Sequence, residues 1–400
     1  MPGREWFGEA ERQQVNEVLE TGVLMRYNWD AERRGVWKAR DLEAALKSRF
    51  GVAFAQLTSS GTAALLTAFS ALGVGAGDAV ILPTFTFVAS FEAVLAVGAI
   101  PILIDVDETL TLDPQAVARA ITSNTKLIMP VHMCGGMAEM DALLALARKH
   151  GVYVLEDACQ AIGGTYKGRA LGAMGAMGCF SFDYVKTITC GEGGAVLTNR
   201  EALYTKSNGY TDHGHDHIGS DRGAEGHPFL GLNFRISELQ AAVGLAQLKK
   251  LDDILTVQRR HKAIVKSHLA EIGALGFRKI PDESGDNASF LSFFMPDAQR
   301  ARAVAKQLTA RGITGVFYWY DNNWHYVRQW AHLKACKTLG ALSREVRAGM
   351  PDYAAQDFSQ SDAIIGRCIS TAVSLNWTEA EAHARGKAMA TVVKRVLQQG

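Results

Sequence analysis

Val52-Ala53-Phe54-Ala55-Gln56-Leu57-Thr58-Ser59-Ser60-Gly61-Thr62-Ala63-Ala64-Leu65 passes from a short apolar run, through a hydroxyl-rich turn with one glycine, into an alanine-rich helical stretch. That change of period is one βα unit. It recurs: between residues 52 and 198, short β-branched runs alternate with helix-like segments, the pattern of a parallel sheet. Strands are expected at 52–57, 79–82, 100–106, 126–131, 152–155, 179–182 and 195–198, and helices at 63–72, 88–97, 114–121 and 137–150. Seven strands need helices on both faces, so the expected class is α/β. In open α/β sheets ligands bind beyond the carboxyl ends of the strands. Several chemically informative residues follow those ends.

Downstream, a long helix opened by Ser237-Glu238 is expected to run to about residue 255, and a basic helix to span 258–269. Beyond it, a strand at 288–295, a helix at 301–311 and a strand at 315–320 suggest a smaller α+β domain. The expected division is an N-terminal segment 1–35, a large domain 36–258 and a small C-terminal domain 259–400. Residues 210–231, rich in Gly, His and Asp, read as an active-site loop.

The bulk composition narrows the classes. The 400 residues are 48% hydrophobic, enough for a sizeable core. With 42 Lys+Arg against 41 Asp+Glu, the formal charge is +1, which gives no global field for nucleic acid or anionic membrane. No run approaches the roughly 18 apolar residues of a membrane span, and the start lacks a signal pattern. A cytoplasmic location is expected. Six cysteines without CxxC spacing indicate neither a disulfide framework nor a zinc knuckle.

One lysine stands between an apolar strand and a glycine-rich turn, in Phe180-Ser181-Phe182-Asp183-Tyr184-Val185-Lys186-Thr187-Ile188-Thr189-Cys190-Gly191-Glu192-Gly193-Gly194. An ammonium at a strand end can shed its proton and attack an aldehyde, and pyridoxal 5'-phosphate is the common cofactor captured that way. Ser60, Gly61 and Thr62 open a helix, where amides, hydroxyls and the positive helix end suit a phosphate. The same residues also make an ordinary N-cap. Ser181, five residues before Lys186, adds another hydroxyl.

Asp157 ends a strongly apolar strand, where a carboxylate is costly unless something positive meets it. A protonated pyridine nitrogen is such a partner, and an N-cap role is the plain alternative. Gln160 could bond a ring hydroxyl, and Phe87 could stack on the ring. Asp212-His213-Gly214-His215-Asp216-His217 invites a metal reading, but no other ligand completes a recognisable spacing and no metal is assigned. Tyr318-Trp319-Tyr320-Asp321-Asn322-Asn323-Trp324-His325-Tyr326 is dense in aromatics with polar tips, as in sites for hydroxylated substrates or in a packed core.

Taken together, Ser59-Ser60-Gly61-Thr62-Ala63-Ala64-Leu65, Glu156-Asp157-Ala158-Cys159-Gln160-Ala161, Ser181-Phe182 ahead of Lys186, Gly191-Glu192-Gly193-Gly194 and Gly231-Leu232-Asn233-Phe234-Arg235-Ile236-Ser237-Glu238 resemble the DegT/DnrJ/EryC1 family of sugar aminotransferases. The resemblance implies the aspartate-aminotransferase fold (fold type I), pyridoxal 5'-phosphate and a homodimer with shared active sites. It makes Lys186 the Schiff-base lysine, Asp157 the partner of the pyridine nitrogen and Gln160 a ligand of the ring hydroxyl. It gives the phosphate to Gly61, Thr62 and Ser181, with Asn233 reaching the other subunit's cofactor and Arg235 near a donor carboxylate.

Some features depart from the family members that use nucleotide sugars. Asp183 and Val185 replace a histidine and a proline, and Trp319-Tyr320 replaces a Tyr-Pro signature. Arg26-Tyr27-Asn28, His132-Met133-Cys134-Gly135, the 185–190 and 212–219 stretches and Phe317-Tyr318-Trp319-Tyr320 resemble a narrower group. That group moves an amino group from L-glutamate to the C8 aldehyde of an oxidised 3-deoxy-manno-octulosonate used in lipopolysaccharide. Arg26, Tyr27, His213, His215, Arg235, Tyr318 and His325 are the candidate substrate residues. A nucleotide-ketosugar aminotransferase and a non-catalytic binding protein for the same cofactor are the alternatives.

Overall fold

The structure, a computed structural model, describes residues 3–219 and 222–399. Met1 and Pro2 of the expected 1–35 segment, Ser220 and Asp221 of the 210–231 loop, and Gly400 lie outside the described residues. The main sheet contains β1 (Phe54–Thr58), β2 (Ala79–Pro83), β3 (Ile100–Ile104), β4 (Thr125–Ile128) and β5 (Tyr153–Asp157). After a small hairpin, β6 (Thr165–Tyr166) and β7 (Arg169–Ala170), come β8 (Met177–Ser181) and β9 (Gly194–Thr198). The spatial order is β1-β9-β8-β5-β4-β2-β3. All neighbours are parallel except β9, which runs antiparallel to β1 and β8. This is the mostly parallel seven-stranded sheet expected, with each expected strand present.

The helices follow local chemistry. Ser60 caps α3 (Gly61–Leu72) by accepting from the Ala63 amide, and Gly73 ends it at φ 70° in the left-handed region. Asp113 caps α5 (Pro114–Ala120), whose proline occupies the first turn. Ser237 and Gln240 form a capping box on α8 (Glu238–Lys249). α4 (Val88–Ala96) and α6 (Met140–His150) complete the crossovers. α6 starts later than the 137 expected because Cys134 (φ 52°) and Gly135 (φ 77°) form a turn ahead of it.

One apolar cluster, including Phe69, Phe91, Leu82 and Leu155, packs α3 and α4 against the sheet. A second, including Leu42, Leu57, Phe180 and Leu245, lies with α2 (Lys38–Phe50) and α8. α1 (Glu9–Thr21) packs on α8.

The helix expected to reach residue 255 instead ends at Lys249, and α9 (Leu251–Ala270) follows after Lys250. Lys250 is tied by its ammonium to Glu11 and the Trp6 carbonyl, a tertiary restraint no local signal announces. The expected 258/259 division falls inside α9. Beyond it, β10 (Gly276–Phe277), β11 (Phe290–Phe294), β12 (Val316–Tyr318) and β13 (Cys368–Ala372) form an antiparallel sheet ordered β10-β11-β13-β12. α10 (Ala298–Ala310) and the C-terminal helix Glu379–Gln398 cover it. Among the described residues no helix is long and apolar enough to cross a membrane. All six cysteines are free thiols, and only Cys336 is exposed.

Candidate active site

A cavity of about 480 Å³ opens where the carboxyl ends of β1, β5 and β8 meet the edge of the second sheet. Its floor is the end of β5. Alternation sends Glu156 and Asp157 to opposite faces. Glu156 is fully buried and accepts from the Gly172, Met174 and Gly175 amides at 2.8, 2.6 and 2.7 Å, with His132 Nε2 at 3.1 Å. Asp157 faces the cavity and is only 4% exposed. Its Oδ2 accepts from the Ser90 hydroxyl at 2.8 Å and its Oδ1 from the Cys159 amide at 3.1 Å. Among the described residues no cation pairs with it. A buried carboxylate without a counter-charge calls for a cationic ligand.

Gln160 is buried on the same wall, its Oε1 accepting from the Cys134 amide at 3.1 Å. Ser60, Gly61 and Thr62, at the start of α3, meet Ser181 at the end of β8. A Cβ added to Gly61 would lie 2.7 Å from Ser181 Cβ and 3.0 Å from Ser181 Oγ, so only glycine permits this approach. The first-turn amides of α3 and the Ser181 hydroxyl form a cradle for an anion.

Lys186 sits on a turn closed by its amide donating to the Asp183 carbonyl at 2.9 Å. Its half-buried ammonium enters the cavity 5.8 Å from the centroid of Phe87 and forms no ion pair among the described residues. Burial and the Asp183 charge push the nearby Glu192 carboxyl up, while Lys186 opposes that shift.

The aromatic wall comes from both sheets. Phe87 stacks on Trp324 at 5.6 Å and packs against His325 at 5.4 Å. His325 stands edge-on to Trp319, and Phe317 stacks on Trp319 at 4.7 Å. Burial, then the Lys186 charge, lowers the His325 pKa to about 3, so its ring is neutral at neutral pH. Its bond of 2.9 Å to Asn322 Oδ1 puts the proton on Nδ1 and leaves Nε2 an acceptor.

Ser60, Gly61, Thr62, Phe87, Asp157, Gln160, Ser181, Lys186 and His325 therefore converge on one cavity. Tyr318 does not: its hydroxyl donates to the Gly366 carbonyl at 2.9 Å, and its strand neighbours Phe317 and Trp319 face the cavity instead. The other substrate candidates also lie elsewhere in this chain. Arg235 and Arg222 both bind Asp212, at 2.5 and 2.8 Å. Asn233 bridges to Asp212. Arg26 is 4% exposed and pairs with Glu43 at 2.5 Å, and Tyr27 packs at a tilt against His217. His215 meets Glu225 at 3.0 Å, while His213 is exposed at φ 59°.

Within this group, Asp212, His215 and His217 bring ligand atoms within 4.8 Å of one another, as do His215, Asp216 and Glu225. Asp212, however, is already committed to two guanidinium groups. Sequence reasoning missed Ser90, Arg4, Cys159 and Phe317. Ser90, one turn into α4 from Phe87, carries no local signal of its contact. Arg4 reaches the cavity from the N-terminal segment and lies 5.4 Å from the Tyr184 ring.

The residues fit a phosphorylated pyridine: an anion cradle at Gly61, an unpaired buried carboxylate at Asp157 and an unpaired ammonium at Lys186. On this sheet they define a fold type I pyridoxal-phosphate architecture. The model of the DegT/DnrJ/EryC1/StrS aminotransferase family matches residues 7–347, and the chain belongs to that family. It is 39% identical over 234 residues to GDP-perosamine synthase of Caulobacter vibrioides, covering 58% of this chain and 62% of that protein. It is 38% identical over 274 residues to L-glutamine:2-deoxy-scyllo-inosose aminotransferase of Micromonospora echinospora, covering 65% of this chain and 63% of that protein. The chain thus spans less than two thirds of the length of these curated relatives. Among solved structures, 3-amino-5-hydroxybenzoic acid synthase superposes with a TM-score of 0.82 at 31% identity, over 97% of each chain.

Proposed function

We propose that this protein is a pyridoxal-phosphate-dependent sugar aminotransferase. The observation that carries the reading is the placement, in one cavity, of the buried Asp157 carboxylate and the Lys186 ammonium, neither of which has an ion-pair partner among the described residues. When bound, pyridoxal phosphate supplies a cationic ring that takes up the electron pair left by proton removal from the carbon bearing nitrogen. Asp157, fixed by Ser90 and the Cys159 amide, would hold the ring nitrogen charged. Gln160 would meet the ring hydroxyl, Phe87 would offer its face to the ring, and Ser60, Gly61, Thr62 and Ser181 would hold the phosphate. Lys186 takes a proton from the α-carbon of the donor L-glutamate and later returns one to the sugar carbon. Donor and acceptor use the same site in turn.

The acceptor we propose is the C8 aldehyde of an oxidised 3-deoxy-manno-octulosonate, giving 8-amino-3,8-dideoxy-manno-octulosonate for lipopolysaccharide. Support comes from the stretches shared with that group and from the Phe317, Trp319 and His325 wall, which suits a hydroxylated substrate. Arg4 provides a cation for a free sugar acid's carboxylate. A nucleotide-ketosugar acceptor is the second reading, favoured by the similarity to GDP-perosamine synthase.

The cluster around Asp212, with Arg26, Tyr27, His213, His215, Asn233 and Arg235, is assigned to the neighbouring subunit's site in a cytoplasmic homodimer. The proposed division remains 1–35, 36–258 and 259–400. Lys186→Ala should abolish turnover and the visible absorbance of lysine-bound cofactor; an active, yellow variant sinks the assignment. Mass-spectrometric detection of amination, with oxidised octulosonates and nucleotide ketosugars offered separately, decides the acceptor.

A further inference from the structure

A second pocket, of about 270 Å³, lies behind the active cavity between α9, β10, β11 and the turn Glu283–Gly285. It is smaller than the roughly 300–1,000 Å³ typical of drug-sized ligands. Along β11, Phe290 lines the active cavity and the next two residues, Leu291 and Ser292, line this pocket, so the two are neighbours on one strand. Its charged lining is four cations, Arg259, Lys262, Lys266 and Arg278, against two carboxylates, Glu283 and Asp286.

The carboxylates do not satisfy the cations. Lys262 pairs with Asp286, and Lys266 is 3.9 Å from Glu283. Arg259 uses only Nε, on the Asp286 carbonyl at 3.0 Å. Arg278 is 8% exposed; its Nε donates to the Thr109 carbonyl at 2.7 Å and its Nη1 to the Met133 carbonyl at 2.6 Å. Its Nη2 is buried without a hydrogen-bond partner. Among the described residues no carboxylate forms an ion pair with Arg278, and burial lowers its pKa. A buried guanidinium with an idle donor is unfavourable unless an anion meets it.

We propose that this pocket is a binding site for a small dianion, with inorganic phosphate as the simplest member of the class. The buried Arg278 guanidinium and the Arg259, Lys262 and Lys266 side chains supply the positive field. The site also touches the active cavity's support. Arg278 holds the Met133 carbonyl, and the next residue's amide donates to Gln160.

The test is calorimetric titration of the pyridoxal-phosphate-saturated protein with inorganic phosphate at ionic strength fixed by chloride, which keeps the cofactor's own phosphate site filled. Saturable binding is expected. Arg259→Gln combined with Lys266→Gln should weaken it about tenfold or more, since two charges near the anion are lost. Glu283→Gln, removing a lining carboxylate from the rim, should tighten it. Absence of binding, or isotherms unchanged in both variants, overturns the proposal. Arg278 is left intact because it also ties down the Met133 turn.

Discussion

Gly61→Ala isolates the phosphate cradle from the rest of the site. The added methyl would sit 2.7 Å from Ser181 Cβ, 3.0 Å from its Oγ and 3.4 Å from Cys159 Sγ. Carbon atoms prefer about 3.5–4.0 Å, so the closest pair overlaps by about 1 Å. Ser181 cannot withdraw freely, because β8 is hydrogen-bonded between β5 and β9. Overpacking of this kind costs about 1–3 kcal/mol, and replacing glycine in a helix returns up to about 1 kcal/mol. The protein without cofactor should therefore lose at most about 3 kcal/mol.

Cofactor binding should suffer more. Displacing the Ser181 hydroxyl and the adjoining amide disturbs two hydrogen bonds to a charged group, each contributing about 1.5–3 kcal/mol. A weakening of roughly a hundredfold or more follows. Titration of cofactor-free protein with pyridoxal phosphate, followed by quenching of tryptophan fluorescence, measures it; urea denaturation measures the stability term. Affinity within about threefold of wild type would refute the cradle. Adding Ser181→Gly to Gly61→Ala removes the colliding carbon and should recover part of the affinity. No recovery would mean that steric overlap is not the cause.

Ser90→Ala removes one of the two hydrogen bonds on Asp157 and should lower kcat/KM about tenfold, measured by steady-state kinetics with glutamate; an unchanged value would show that Asp157 needs no such support. Arg26→Met strands Glu43, which is 8% exposed, and should cost about 3–5 kcal/mol in urea denaturation, with Glu43→Gln in the same background restoring much of it. A loss below about 1 kcal/mol would show that the pair is not structural. His325 titrates at about 3 in the folded chain, below its ordinary value of 6.5, so the unfolded chain binds the extra proton between those values. Stability should therefore be unaffected above pH 6.5 and fall as pH drops below it, by up to about 1.4 kcal/mol per pH unit from this group. His325→Gln should flatten that slope in denaturation series at pH 7, 6 and 5; an unchanged slope contradicts the assignment.

The main sheet was legible because each strand is apolar and each turn carries hydroxyls, glycine or acid at its carboxyl end. Ser60, Gly61, Asp157, Ser181 and Lys186 all follow such ends, and the fold gathers them by its own topology. What failed were contacts between distant segments. Lys250, at the break, is held by Glu11, and Arg26 pairs with Glu43, neither of which a local pattern announces. Tyr318 lies off the cavity, and period-two alternation alone does not say whether its face or that of Phe317 looks inward. Ser90 was invisible because a serine inside an alanine-rich helix has no pattern pointing to a carboxylate on β5.

The cavity has two walls of different origin. Asp157, Gly61, Ser181 and Lys186 belong to the seven-stranded sheet and its loops, whereas Phe290, Phe317 and Ala372 belong to the four-stranded one and Trp319 to the turn that follows β12. The two are stitched together at Thr86 and Val88, whose amides donate to the His325 and Trp324 carbonyls at 3.0 and 2.8 Å. Exchanges confined to Phe317, Trp319 and Ala372 therefore reshape one wall of the cavity while Asp157, Ser181 and Lys186 keep their supports on the other sheet.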